Sequence, residues 1–226
     1  MKRTGIYLGT IIALTAVAAF MFMLLPTNSK STQSLQFTSQ NHGEQAIKEL
    51  MDYTELEYEL TSNHDSWTVK LQEDISDERF EELKTMIQSG KELSFRDHQD
   101  NLMLSQDIIK KGSAESEETG NGQPVVTFSL TSEEKFYEVT SKISNTKKPN
   151  NVLVMWFGYE EGQTYLEERD KEDPAYLSAP KVNQRLKTSK VQITGNFTKE
   201  ETHKLAEKIN ISTLSQGLTL VEKNEK

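Results

Sequence analysis

The chain has no cysteine at any of its 226 positions. That excludes disulfides and a lipid-modified cysteine anchor, and it favours a bacterial surface, where an extracytoplasmic domain folds on its core alone. Histidine is scarce too: His42, His64, His98 and His203 are the whole set, and no two stand at a metal-ligand spacing. A glycine-rich phosphate loop is missing, because Gly120-Asn121-Gly122 lacks the following helix and lysine. Asp97-His98 and the many serines come without a nucleophile-elbow motif. The carboxylates between Glu160 and Asp173 lack the alternating Asp/Asn ladder and central glycine of calcium loops, and read as a solvated acidic loop. With no catalytic apparatus, cofactor site or metal site in the pattern, the expectation is a protein that is not an enzyme.

An excess of positive charge is also lacking. The net charge is −9, and Lys2 and Arg3 precede the one long apolar run, which leaves −11 on the remainder. An acidic surface argues against nucleic acid and against adhesion to anionic lipid head groups, both of which select Lys and Arg. The apolar run extends from Ile6 to Leu25. About 20 residues at 1.5 Å each give roughly 30 Å of helix, the thickness of a bilayer's hydrocarbon core. Lys2 and Arg3 before it, and Pro26, Thr27 and Asn28 after it, orient an uncleaved single-pass anchor with the N-terminus inside and the rest on the outer face. The alternative is a signal peptide. Its small-x-small match, Ala16-Val17-Ala18, lies inside the run, and Phe20 to Leu25 stand where a cleavage site needs small residues.

Beyond a polar tether at 26–36, the pattern is α+β. Ala46, Ile47, Leu50 and Met51 mark one helix, opened by a capping-box-like Asn41 to Glu44. Leu56–Leu60 and Trp67–Leu71 alternate on either side of a turn-rich stretch and predict a hairpin. Ser76 caps a helix with Phe80, Leu83, Met86 and Ile87 at helical spacing, Gly90 closes it, and Leu93–Arg96 is a strand. With a strand near Leu35–Phe37, this βαββαβ order matches a ferredoxin-like split unit. Further along, Ser113–Gly122 reads as a charged loop and Val125–Leu130 as a strand. Thr131 to Glu134 open a helix carrying Phe136, Val139 and Ile143. Val152–Phe157 is a continuous apolar strand central to a sheet. Gly158 to Pro174 holds seven carboxylates against Arg169 and Lys171. Val191–Thr194 is a strand, Thr198 to Glu201 cap a helix with Leu205, Ala206 and Ile209, and Leu218–Val221 is the last strand.

Three segments in this order and at these spacings resemble the SecD half of the SecDF protein-export family. They are Leu93-Ser94-Phe95-Arg96-Asp97, then Leu177-Ser178-Ala179-Pro180-Lys181-Val182-Asn183, and Val191 to Glu201 with its Ile193-Thr194-Gly195-Asn196-Phe197-Thr198 core. The resemblance implies a ferredoxin-like base near the membrane with an inserted α+β head that swings against it. The expected division is a cytoplasmic N-terminus at 1–5, a transmembrane helix at 6–25, the tether at 26–36, base at 37–97, head at 98–197, and the rest of the base at 198–226. Hinge-like crossings are expected at Asp97–Asp100 and Gly195–Thr198. Phe95, Arg96, Asp97, Ser178, Ala179, Pro180, Gly195 and Phe197 carry the resemblance and are expected to serve the fold. Pro180 fixes φ, and Gly195 is expected to supply a backbone angle other residues resist.

The pattern departs from the family in two places. Leu35 to Asn41 replace its glycine-rich stretch after the first span, and the five further spans with their proton-carrying acids are not in this sequence. The one apolar run offers only Tyr7, Thr10 and Thr15 as polar side chains. The expectation is therefore a stand-alone relative or a piece of a longer protein that does not conduct protons by itself. By resemblance it is an accessory of Sec-dependent export at the cytoplasmic membrane, whose partners are the Sec translocase and unfolded exported polypeptide. The alternative is a membrane-anchored binding or sensing module unrelated to export, since fold alone does not fix function.

Overall fold

The computed structural model describes residues 33–39, 43–64 and 66–221. The expected anchor at 6–25 and most of its tether lie outside the described residues. So do Asn41 and His42 of the first expected cap. Among the described residues no helix is long and apolar enough to cross a membrane.

The architecture is mixed α+β, built on three antiparallel sheets. The first is assembled from β1 (Ser34–Ser39), β2 (Tyr58–Asn63), β3 (Ser66–Leu71) and β10 (Leu218–Val221), in the order β10-β1-β3-β2. Period-two alternation places Leu35, Phe37, Val69 and Leu71 on one face. Against that face pack α1 (Gly43–Thr54) through Ile47, Leu50 and Met51, and α2 (Asp77–Gln88) through Leu83 and Ile87. Gly43 starts α1 in close contact with the sheet: a Cβ there would stand 2.7 Å from the Trp67 ring and 2.8 Å from Ser39 Cβ. The α2 N-terminus is as expected, with Ser76 Oγ accepting from the Arg79 amide at 3.2 Å. The β2–β3 pairing reaches further toward the turn than expected, to Asn63 and from Ser66, with His64 at φ 54°.

The strand Leu93–Arg96 (β4) exists, but it does not close this first sheet. Its partners are β5 (Leu102–Leu104) on one side and β8 (Val154–Phe157) on the other. The edge position beside β1 is taken by β10, more than a hundred residues later in the chain. Nor is Asp97–Asp100 a crossing between cores: Asp97 N–H bonds to Asn101 C=O at 3.1 Å, so the segment is the tight turn of the β4–β5 hairpin.

The third sheet is β6 (Glu115–Glu118), β7 (Pro124–Ser129) and β9 (Lys190–Ile193), in the order β6-β7-β9. The stretch expected to be a charged loop, Ser113–Gly122, thus contains a strand. β6 pairs with β7 along its whole length. Its acids face solvent and pair with lysines, Glu117 with Lys190 at 2.8 Å and Glu118 with Lys199. Helix α3 (Glu133–Ser144) is capped by Ser132 rather than Thr131, whose hydroxyl donates to Asp107 C=O. Phe136 and Ile143 bury, together with β4, β7, β8 and β9, in a core separate from that of the first sheet.

Helix α5 (Lys199–Leu214) serves both cores. Its Thr198 capping box is complete: Thr198 Oγ1 accepts from the Glu201 amide, and the Glu201 carboxylate accepts from the Thr198 amide. Leu205, Ala206 and Ile209 belong to the core of β4, β7 and α3, while Ile211 and Leu214 belong to the core of the first sheet. The run Gly195–Thr198 therefore leads into a helix whose first half belongs to the same core as β9.

Candidate functional site

Two of the three segments singled out in the sequence flank β8, and the third forms β9, which pairs with β7 in the neighbouring sheet. Phe95, fully buried, pairs with Met155 across β4–β8 and lies 6.2 Å from the Phe128 ring. Arg96 donates from Nη1 to Asp100 C=O at 2.7 Å and stacks its guanidinium 3.5 Å over the Tyr159 ring. Asp97 shapes the hairpin turn, its carboxylate accepting from the amides of Gln99 (2.8 Å) and Asn101 (3.1 Å). On the other side of β8, Ser178 bridges Met155, and Pro180 C=O accepts from the Leu153 amide at 3.1 Å. Ser178 Oγ then donates to Thr194 C=O at 2.9 Å and ties this edge to the end of β9. Ala179 packs beside Trp156. β8, expected to be central, is the last strand in the order β5-β4-β8, with β4 on one side and isolated bridges to Ser178 and Lys181 on the other.

Gly195 differs from expectation. Its φ is not positive, so no special backbone angle is involved. The requirement is space: a Cβ would stand 2.7 Å from the Phe197 ring, which packs against the core of α3 and β8. All eight residues take part in strand pairing, turns or close packing, and of them Pro180 also lines open space.

That open space is an apolar groove of about 410 Å³ beside α3, lined by Phe136, Leu153, Met155, Pro180, Val182 and Val191. Leu153 and Met155 reach it because alternate residues of β8 point to opposite faces. Leu186 stands at its margin, 38% exposed, and is positioned by its own amide donating to Thr140 Oγ1 at 2.9 Å. Lys181 and Lys190 line the groove as well, Lys190 being paired with Glu117 at 2.8 Å. Burial of this kind of surface releases about 25 cal/mol per Å², so an extended apolar segment laid here gains without needing any catalytic group. Among the described residues no group of three or more His, Asp and Glu could hold a metal ion.

A second feature is the polar seam where α5 passes between the two cores. Asn210, 3% exposed, accepts from the Ala114 amide and donates to the Ala114 carbonyl, each at 2.8 Å, and also donates to Tyr53 Oη at 3.1 Å. Ser212 Oγ lies 2.7 Å from Lys91 C=O and 2.8 Å from Gln106 Oε1. Gln216 donates to Asp107 at 2.8 Å, and Arg79 pairs with Glu207. Burial pushes the Tyr53 phenol above its ordinary range, although the Asn210 contact opposes this. The Arg79 guanidinium is held above its ordinary range by the hydrogen bond to Glu207. A cleft of about 740 Å³ opens along the seam, lined by Tyr53, Asp107, Lys110, Lys111, Thr213 and Gln216. Polar residues at helical positions that should be apolar were the only sequence signal of this junction.

Residues 77–215, more than half of the chain, match the family described as the SecDF P1 head subdomain. The chain belongs to the SecDF family. The protein translocase subunit SecDF of Bacillus subtilis (strain 168) is 36% identical over 137 residues, which cover 60% of this chain and 18% of that protein. This chain therefore spans less than a fifth of the length of the curated SecDF it matches. Among solved structures, a SecDF described as a membrane component that enhances protein export aligns with a TM-score of 0.57 at 16% identity, over 86% of this chain and 100% of that one. SecDF in a super-membrane-facing form aligns with a TM-score of 0.54 at 16% identity, over 93% of this chain and 34% of that one. At that identity the SecDF structures speak for the fold.

Proposed function

We propose that this SecDF-family chain is a non-enzymatic accessory of Sec-dependent protein export. In this reading Ile6–Leu25 holds it in the cytoplasmic membrane with the N-terminus inside, and the remainder works on the outer face, next to the Sec translocase. The sheet β10-β1-β3-β2 with α1 and α2 acts as a ferredoxin-like base, and the portion from β4 to the first half of α5 acts as an inserted head. The head swings about the polar seam at Asn210 and Ser212, where hydrogen bonds exchange for water at lower cost than apolar packing does. Translocating polypeptide, unfolded as it emerges, is held in the groove beside α3.

The observation that carries this reading is the groove itself: a largely apolar channel beside α3, built on the strand that two of the family segments flank. It is suited to extended apolar chain and has no group that would do chemistry on it. The anchor contains no carboxylate, amine or imidazole, its polar side chains being Tyr7, Thr10 and Thr15, so it offers no proton-carrying acid to couple binding to the proton gradient. The test is a titration with a reduced, alkylated and hence permanently unfolded protein, followed by fluorescence anisotropy. The chain binds it, and Leu186→Asp weakens binding at least fivefold while Thr61→Asp, on the distant base sheet, does not. Absence of binding, or equal binding by Leu186→Asp, would contradict the proposal.

A further inference from the structure

The acidic connector Gly158–Tyr176 lies over the face of β8 that points away from the groove. Alternation along the strand places Val152, Val154 and Trp156 there, and Trp156 is 1% exposed. What covers them is the connector's own aromatic set. Tyr159 and Tyr176 meet Trp156 edge-on at 5.2 and 5.7 Å, and Tyr165 lies 5.5 Å from Tyr176.

The connector's hydrogen bonds are mostly its own. Tyr159 Oη donates to Gln163 C=O at 3.0 Å, the Glu160 amide to Gln163 Oε1 at 2.8 Å, and the Ala175 amide to Glu168 at 3.0 Å. Its helical turn α4 (Tyr165–Glu168) buries no residue. Between its two roots, the bonds that hold it down come from the β4–β5 turn. The Asp100 carboxylate accepts from the Tyr165 amide at 3.0 and 3.2 Å, and Arg96 stacks on Tyr159. At the roots, Gly158 bonds to Glu92 C=O with φ 75°, and Leu177 bonds to Met155 C=O. The closed position also leaves a polar group unserved: among the described residues, Trp156 Nε1 is buried with no hydrogen-bond partner. An internally bonded segment, lightly pinned, over a strip whose indole N–H is unsatisfied in the closed state, is arranged to come away as a unit.

We propose that Gly158–Tyr176 is a releasable cover, pinned by Asp100 and Arg96, which opens without unfolding the sheet beneath and exposes the apolar strip Val152-Val154-Trp156. Opening breaks the Asp100 pin, frees the Tyr165 amide to water and lets solvent reach Trp156 Nε1. The strip uses the face of β8 opposite the groove, so this inference does not depend on polypeptide binding there.

The experiment uses the full chain with Trp67→Phe, which leaves Trp156 as the only tryptophan. Acrylamide quenching of Trp156 is followed through a denaturant series alongside far-UV circular dichroism. The expected result is that quenching rises at denaturant concentrations where the dichroism is still native. Asp100→Ala raises the native-condition quenching constant at least threefold, whereas Asp100→Asn, which keeps an acceptor for the Tyr165 amide, stays within a factor of 1.5. Native-state hydrogen exchange on the unsubstituted chain provides the same reading should Trp67→Phe disturb the base. The connector amides of Arg169 and Ala175 then exchange by an opening less denaturant-dependent than that of the β8 amides. Coincident quenching and dichroism transitions in both Asp100 variants, or connector and β8 exchange with the same denaturant dependence, overturns the proposal.

Discussion

Asn210 grips both backbone polar groups of Ala114, accepting from its N–H and donating to its C=O, each at 2.8 Å and each buried in the seam between two cores. The side-chain amide has the one donor and one acceptor that the peptide unit requires, 96 residues away in the chain. Replacing it with alanine leaves both groups of Ala114 buried and unpaired. At about 1–3 kcal/mol for each unsatisfied buried group, Asn210→Ala is expected to cost about 2–6 kcal/mol. Asn210→Asp is no rescue, because the carboxylate faces the Ala114 carbonyl with no donor. Urea unfolding measures both, and a loss below 1 kcal/mol would show that the seam is wet.

Gly195 and Phe197 make a prediction that separates space from backbone angle. Gly195→Ala places a methyl group where the Phe197 ring now lies, 2.7 Å away, so the ring must move. Overpacking of this kind costs about 1–3 kcal/mol. Adding Phe197→Leu should recover part of the loss, giving a coupling energy of at least 0.5 kcal/mol in a double-mutant cycle. A backbone-angle requirement would give strictly additive effects.

Asp100 should show its burial as a pH dependence. Burial pushes its carboxyl above the ordinary aspartate range, outweighing the Tyr165 amide and the Arg96 charge, which act in the opposite direction. A raised folded-state pKa means that the folded protein holds this proton more tightly than the unfolded chain does. Asp100 therefore contributes stability below its unfolded pKa, and that contribution is lost as pH rises through the folded one. Asn accepts the positive φ of 63° at this position about as well as Asp does. Asp100→Asn is thus expected to gain on the parent protein between pH 3 and pH 6, measured by chemical denaturation at each pH. An advantage that shrinks over that interval would reverse the assignment.

What could be read from the sequence was local. The Ser76 and Thr198 caps and the continuous apolar run of β8 are written in neighbouring residues, and they stand where the pattern put them. Pairing was not legible. Leu93–Arg96 is recognisable as a strand, but nothing in those four residues says that β5 and β8, rather than β1, will take its edges. Glu115–Glu118 escaped because a strand with little side-chain burial shows no apolar alternation; β7 and the lysines around it make it a strand. The double allegiance of α5 was hidden for a related reason. Its stripe at Leu205, Ala206 and Ile209 predicts one buried face, and the polar Asn210, Ser212 and Thr213 look like its end, yet they are the buried junction to a second core. In the candidate site, the segments carrying the family resemblance pointed to the scaffold around β8. The groove they frame depends on Leu186 and Val182, whose placement arises only from tertiary contacts.

The central claim is that polypeptide in transit lies in the groove beside α3, and site-specific photo-cross-linking in translocating membrane vesicles tests it most directly. A photoreactive phenylalanine analogue is placed at Leu186 on the groove margin, and separately at Thr61 on the exposed edge of the base sheet. With an export substrate stalled midway, the account predicts a cross-link to the stalled chain from position 186 and none from position 61. It also predicts that the 186 cross-link survives collapse of the proton gradient in vesicles lacking full-length SecDF. No cross-link from 186, or equal cross-links from both positions, would contradict it.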